Sequence, residues 1–172
     1  LIILFLSGRN DTMLEFIKDL FGFAKDSQGL VKVVQDEKSK ARGTKNRILT
    51  EIEFNIDLIF DHYLEREIPA EKVIEKLKVQ ELAKAIDEGF DFKKMNKGKI
   101  DMEMTGDNPF LKKYIGYDCE AFLRKIRHHI EQIKLLPELY NLADEKKVNV
   151  KQRLENLGKR YILFTRFLKE TS

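Results

Sequence analysis

The stretch Thr44–Arg66, TKNRILTEIEFNIDLIFDHYLER, carries the strongest periodic signal in the chain. Ile48, Ile52, Ile56, Ile59, Phe60 and Tyr63 recur three or four residues apart, the repeat that gathers apolar side chains on one face of an α-helix. The spacing predicts one helix over Thr44–Arg66 with its apolar stripe against a core.

The same period extends in both directions. Upstream, Leu14, Ile17, Leu20, Phe21 and Ala24 share a face, and Thr12 with Glu15 fits a capping box. Leu30, Val31, Val33 and Val34 form a short apolar run, read as helix because no partner strand is evident. Downstream, Pro69 suits a first helical turn, where its missing N–H costs nothing. Val73, Ile74, Leu77, Leu82 and Ile86 then line a helix that Gly89 ends. Residues 90–108 are irregular, with Ile100, Met102 and Met104 alternating as a short extended segment would. Pro109 opens a turn bearing Phe110, Leu111, Tyr114 and Ile115, and Asp118 caps a helix lined by Phe122, Leu123, Ile126, Ile130 and Ile133. After a charged break at residues 144–147, a last helix begins near Asn149. Its seam is Leu154, Leu157, Tyr161, Phe164 and Leu168. These elements predict an all-α fold, a single-domain antiparallel bundle of about five helices over residues 13–172.

Composition excludes several classes. The chain has 172 residues, nine glycines, three prolines and one cysteine, which excludes a collagen-like chain, a disulfide framework and a cysteine-rich zinc site. The lone Cys119 fits a reducing, cytoplasmic setting and reads as a buried, inert thiol. Net charge is only +3, yet it is unevenly spread. Lys32–Arg47 carries +4, Lys93–Lys99 adds four lysines without an acid, and Glu51–Glu71 carries −6. That segregation suits docking to a protein partner or to a second copy of the chain better than it suits nucleic acid, because the basic stretch from Lys32 lacks interleaved aromatics.

Residues 1–12 invite two readings. Leu1–Leu6 is apolar throughout, about 9 Å as a helix, against the roughly 20 residues a bilayer requires. It is either the remnant of a clipped membrane anchor or the product of a start site set too early. The second reading is preferred: Gly8-Arg9 is compatible with ribosome-binding DNA three codons ahead of Met13, as in a bacterial gene. A membrane enters only under the first reading.

No phosphate-binding glycine loop, HExxH, CxxC or GxSxG motif is present, so no cofactor is expected. Two constellations remain. Glu53, Asp57, Asp61 and Glu65 form an acidic ladder at helical spacing. Asp57, Asp61 and His62 are its weak metal candidates, against the plainer reading of a solvated face served by Arg66. The second constellation is Arg124-Lys125-Ile126-Arg127-His128-His129. Arg124 and His129 have the Arg-x4-His spacing of the HEPN superfamily of helical ribonucleases and toxin-associated domains. The resemblance covers these six residues. It implies that the pair would bind and activate an RNA phosphodiester, typically across a dimer interface. On a straight helix the two side chains lie about 140° apart, so a kink or a second subunit would have to bring them together.

Because no full catalytic set emerges, the expected function is a non-enzymatic protein-interaction or regulatory module, with a homodimer as one form. The alternatives are a HEPN-like ribonuclease using Arg124 and His129, and the soluble part of a membrane-anchored protein.

Overall fold

The computed structural model describes residues 40–142 and 148–169. Among these residues every regular element is helical, and the one extended pairing is an isolated bridge between Lys99 and Asp118. The chain is all-α, as its periodicity predicts. The helix expected from Thr12, the Leu30–Val34 run, the two readings of residues 1–12 and the break at 144–147 lie outside the described residues.

The helix expected over Thr44–Arg66 is two kinds of helix in succession. Helix α1 spans Lys40–Asp57, and the backbone then widens into a π-helical segment, Leu58–Glu65. There N–H groups reach five residues back, as Arg66 N does to the Asp61 carbonyl at 3.1 Å. Three successive side chains, Leu58, Ile59 and Phe60, are buried at the start of this segment. Glu67 turns the chain out of it with φ 52°, in the left-handed region that a side chain disfavours.

The single helix expected from Pro69 to Ile86 is instead two, α2 (Ala70–Lys76) and α3 (Gln80–Asp87). The cause lies on α1. Buried Asn55 accepts from Lys78 N at 2.8 Å and donates to the Lys78 carbonyl at 2.7 Å, so the main chain there bonds to a side chain rather than to its own helix. One turn earlier on α1, Glu51 accepts from Glu81 N at 2.9 Å and Leu82 N at 3.0 Å. Its carboxylate satisfies the first free N–H groups of α3 from a different helix.

The irregular region contains a 3₁₀ turn at Phe92–Lys94 and two one-turn helices, α4 (Met102–Thr105) and α5 (Pro109–Lys112). Each starts at a side-chain cap, from Asp91, Asp101 and Asn108 respectively. The extended segment expected at Ile100–Met104 is therefore corrected to helix from Met102 onward. Asp101 accepts from Met104 N at 2.9 Å and closes a turn there. Helix α6 (Cys119–Lys134) starts at the Asp118 cap, α7 (Leu136–Leu139) holds Pro137 in its first turn, and α8 (Val150–Lys169) is the longest regular helix.

Helix α8 forms the centre of the core. Leu154, Leu157, Tyr161, Leu163, Phe164 and Phe167 are almost wholly buried along it. Phe122 of α6 meets Phe164, with ring centroids 6.4 Å apart. On another side, Gly158 lets the Phe60 ring come so close that a Cβ at this position would lie 2.6 Å from its tip. Full burial of one such aromatic ring contributes about 1.5–3 kcal/mol, so the Phe-rich seam supplies much of the driving force for folding. No helix among the described residues is long and apolar enough to cross a membrane.

Candidate functional site

Helices α6 and α8 share more than an apolar seam. Beside it they line a pocket of about 350 Å³ whose walls are mostly polar. Helix α6 contributes His129, Gln132 and Ile133. From α8 and its cap come Asn149, Arg153, Asn156 and Arg160, spaced three and four residues apart and so stacked on one helical face, with Gln152 beside them. Asn149 begins that face, accepting from Gln152 N at 2.9 Å.

Arg160 is the unusual member. It is only 5% exposed. Its Nε donates to the Tyr114 hydroxyl at 2.6 Å, and its guanidinium lies 4.8 Å from the centre of the Phe110 ring. It has no ion pair with any described residue, and its two Nη groups make no hydrogen bond to one. Burial without a counter-charge lowers its pKa, opposed by Tyr114. A second cation, Lys113, sits 4.0 Å over the other partner of this cluster, the Phe110 ring, and its pKa is lowered by desolvation and then by Arg160.

His129 faces these charges. Desolvation first, then Arg160, His128 and Lys113, push its pKa down from 6.5 to about 4, opposed by a hydrogen bond that the imidazole donates to Gln132. The imidazole is therefore neutral at pH 7. Asn156, one turn from Arg160, is half-buried and makes no side-chain hydrogen bond to a described residue. The site is thus a pocket with two arginines, no acid among its lining residues and one amide, Asn156, without a hydrogen bond to a described residue.

The basic run on α6 is divided among several tasks. Arg124 is exposed and held by Glu120, with Nε and Nη2 at 3.0 and 2.7 Å from the same carboxylate oxygen. It does not line the pocket, whereas His129 does, so the structure joins His129 to Arg160 and Arg153 rather than to Arg124. Arg127 bridges Asp87 and Glu131 at 2.7 and 2.8 Å, tying α6 to α3.

The acidic ladder is served locally. Asp61 pairs with Arg66 at 3.2 Å and lies 3.7 Å from His62. Among the described residues no group of three or more His, Cys, Asp or Glu side chains is placed to hold a metal ion. Asp57 and His62 instead border a largely apolar groove with Phe54, Leu58 and Ile68. Cys119 is buried, and desolvation pushes its thiol up to about 12.

The pocket residues of α8 escaped the reading of the sequence. Their signal was present: Asn149, Arg153, Asn156 and Arg160 form a polar stripe at helical spacing, directly beside the apolar seam. An apolar period marks a core, and a polar stripe beside it carries no comparable marker. Nothing in the sequence separates a polar stripe that lines a pocket from one that faces solvent.

No protein-family model, curated protein or solved structure matches the chain.

Proposed function

We propose that this chain is a non-enzymatic binding module that takes a small anionic ligand in the pocket between α6 and α8. The observation that carries the reading is Arg160, a buried guanidinium facing the pocket with a neutral hydroxyl as its hydrogen-bond partner and no carboxylate. Desolvating a cation costs several kcal/mol unless an opposite charge compensates it. The rings of Phe110 and Tyr114 return only part of that, about 0.5–2 kcal/mol for a cation over an aromatic face. An anion from outside would supply the rest, and Arg153 on the same face would share it. The cytoplasmic setting and the regulatory role expected from the sequence belong to this proposal, as does binding to a partner protein or a second copy.

Thermal unfolding at constant ionic strength tests it. Phosphate or sulfate replacing chloride is expected to raise the melting temperature, since a ligand at a hundred times its Kd adds about 2.7 kcal/mol. Arg153→Ala should reduce the rise and Arg160→Lys should reduce it further. Equal melting temperatures in all three salts would overturn the proposal.

A second reading draws support from His129, whose neutral imidazole lies beside Arg160. A neutral imidazole next to a guanidinium can accept a proton near a bound phosphodiester, as a HEPN-like ribonuclease would require. Incubation with RNA decides it. Cleavage lost in His129→Ala and in Arg160→Lys would support that reading, and no cleavage by the intact chain removes it.

A further inference from the structure

Taking the anion pocket as its starting point, we infer that the ligand is a phosphomonoester of a small hydroxyl-bearing molecule, the chemistry shared by sugar phosphates and nucleoside monophosphates. Charge points to phosphate rather than carboxylate. Two arginines line the pocket, neither in an ion pair with a described residue, and no acid lines it. A phosphomonoester carries about −1.5 to −2 at pH 7 and three acceptor oxygens, whereas a carboxylate carries one charge and two oxygens.

Donor geometry agrees. The Nε of Arg160 is committed to Tyr114, leaving both Nη groups for the oxygens of one anion. Arg153 stands two turns away on the same face of the helix and lines the same pocket. A tetrahedral group with several oxygens accepts from both.

The Asn156 amide fits more than a bare anion. Asn156 offers a carbonyl acceptor and an NH₂ donor to the pocket, and a phosphate oxygen can satisfy only the donor. Hydroxyl groups, which both donate and accept, fit such a wall. The volume of about 350 Å³ lies at the lower end of the range for small-ligand sites, roughly 300–1,000 Å³. It suits a monomeric ester rather than a polymer.

Isothermal titration of the full chain with inorganic phosphate, ribose 5-phosphate, adenosine 5′-monophosphate and unphosphorylated ribose tests this. One of the two esters is expected to bind at least about tenfold tighter than inorganic phosphate, the factor that one further well-made hydrogen bond provides. Ribose alone should not bind. Asn156→Ala should weaken the ester more than inorganic phosphate and so reduce the advantage of the ester, and Arg153→Ala should weaken every phosphate. Tighter binding of the nucleotide than of ribose 5-phosphate assigns the base as part of the ligand; equal binding assigns the sugar phosphate. If inorganic phosphate binds and neither ester binds tighter, the ester inference is overturned and the anion pocket stands. If no anion binds, both fall.

Discussion

Asn55 and Lys78 exchange two hydrogen bonds across the break between α2 and α3. The Lys78 N–H donates to Asn55 Oδ1 at 2.8 Å, and Asn55 Nδ2 donates to the Lys78 carbonyl at 2.7 Å. The same Nδ2 lies 2.9 Å from the Tyr161 hydroxyl of α8, so one buried amide ties three parts of the chain together. Asn55→Ala should therefore lower stability by about 2 kcal/mol, because the part-buried main-chain groups at Lys78 and the buried Tyr161 hydroxyl lose their partner. Urea unfolding should show a lower midpoint with an unchanged m-value.

Close approach at Gly158 leads to a second expectation. A methyl group there would meet the Phe60 ring at 2.6 Å, and the ring belongs to a buried, rigid segment. Gly158→Ala gains about 1 kcal/mol of helix propensity. Overpacking typically costs 1–3 kcal/mol, roughly 2 here, and should outweigh that gain. Adding Phe60→Leu to Gly158→Ala should return part of the loss, seen as a coupling energy in a double-mutant cycle.

Glu53 presents the opposite case, a change expected to stabilise. One of its carboxylate oxygens is buried without a hydrogen-bond partner, and desolvation and then Asp57 raise its pKa above 4.5. The charged form is thus penalised in the folded chain, and the penalty is complete once pH exceeds the folded pKa. Glu53→Gln should gain a few tenths to about 1 kcal/mol at pH 8. The gain should shrink as pH falls through the raised folded value and vanish well below 4.5, where the carboxyl is protonated in both states. Paired denaturation curves at the two pH values check it.

His129 makes a prediction of the reverse sign. Its pKa falls from 6.5 to about 4 on folding, so the unfolded chain binds a proton that the folded chain refuses between those values. The stability present above pH 6.5 is lost as pH falls through about 4. His129→Gln removes that component. Its melting temperature should decline less steeply than that of the parent between pH 6.5 and pH 4. Equal slopes would show that the imidazole titrates normally.

Local sequence was sufficient for the helical class and for several boundaries. Apolar residues at three- and four-residue spacing define α6 and α8, because a helical face is a property of consecutive residues. Asp118, Asn149 and Gly89 mark ends for the same reason, since a cap acts on a backbone only a few residues away. Tertiary contact decided the rest. The apolar stripe over Val73–Ile86 reads as one helix despite a five-residue step from Leu77 to Leu82, and Asn55, 23 residues before Lys78, bonds the main chain inside that step. The period from Ile48 to Tyr63 does not reveal the π-helical turn that buries Leu58, Ile59 and Phe60 together. Arg160 reads as an ordinary arginine until Tyr114, 46 residues earlier in the chain, fixes its Nε in a buried position beside the pocket. A side chain's own residue type sets what it can bond to. Which group it meets depends on segments distant in sequence, and no local pattern encodes that.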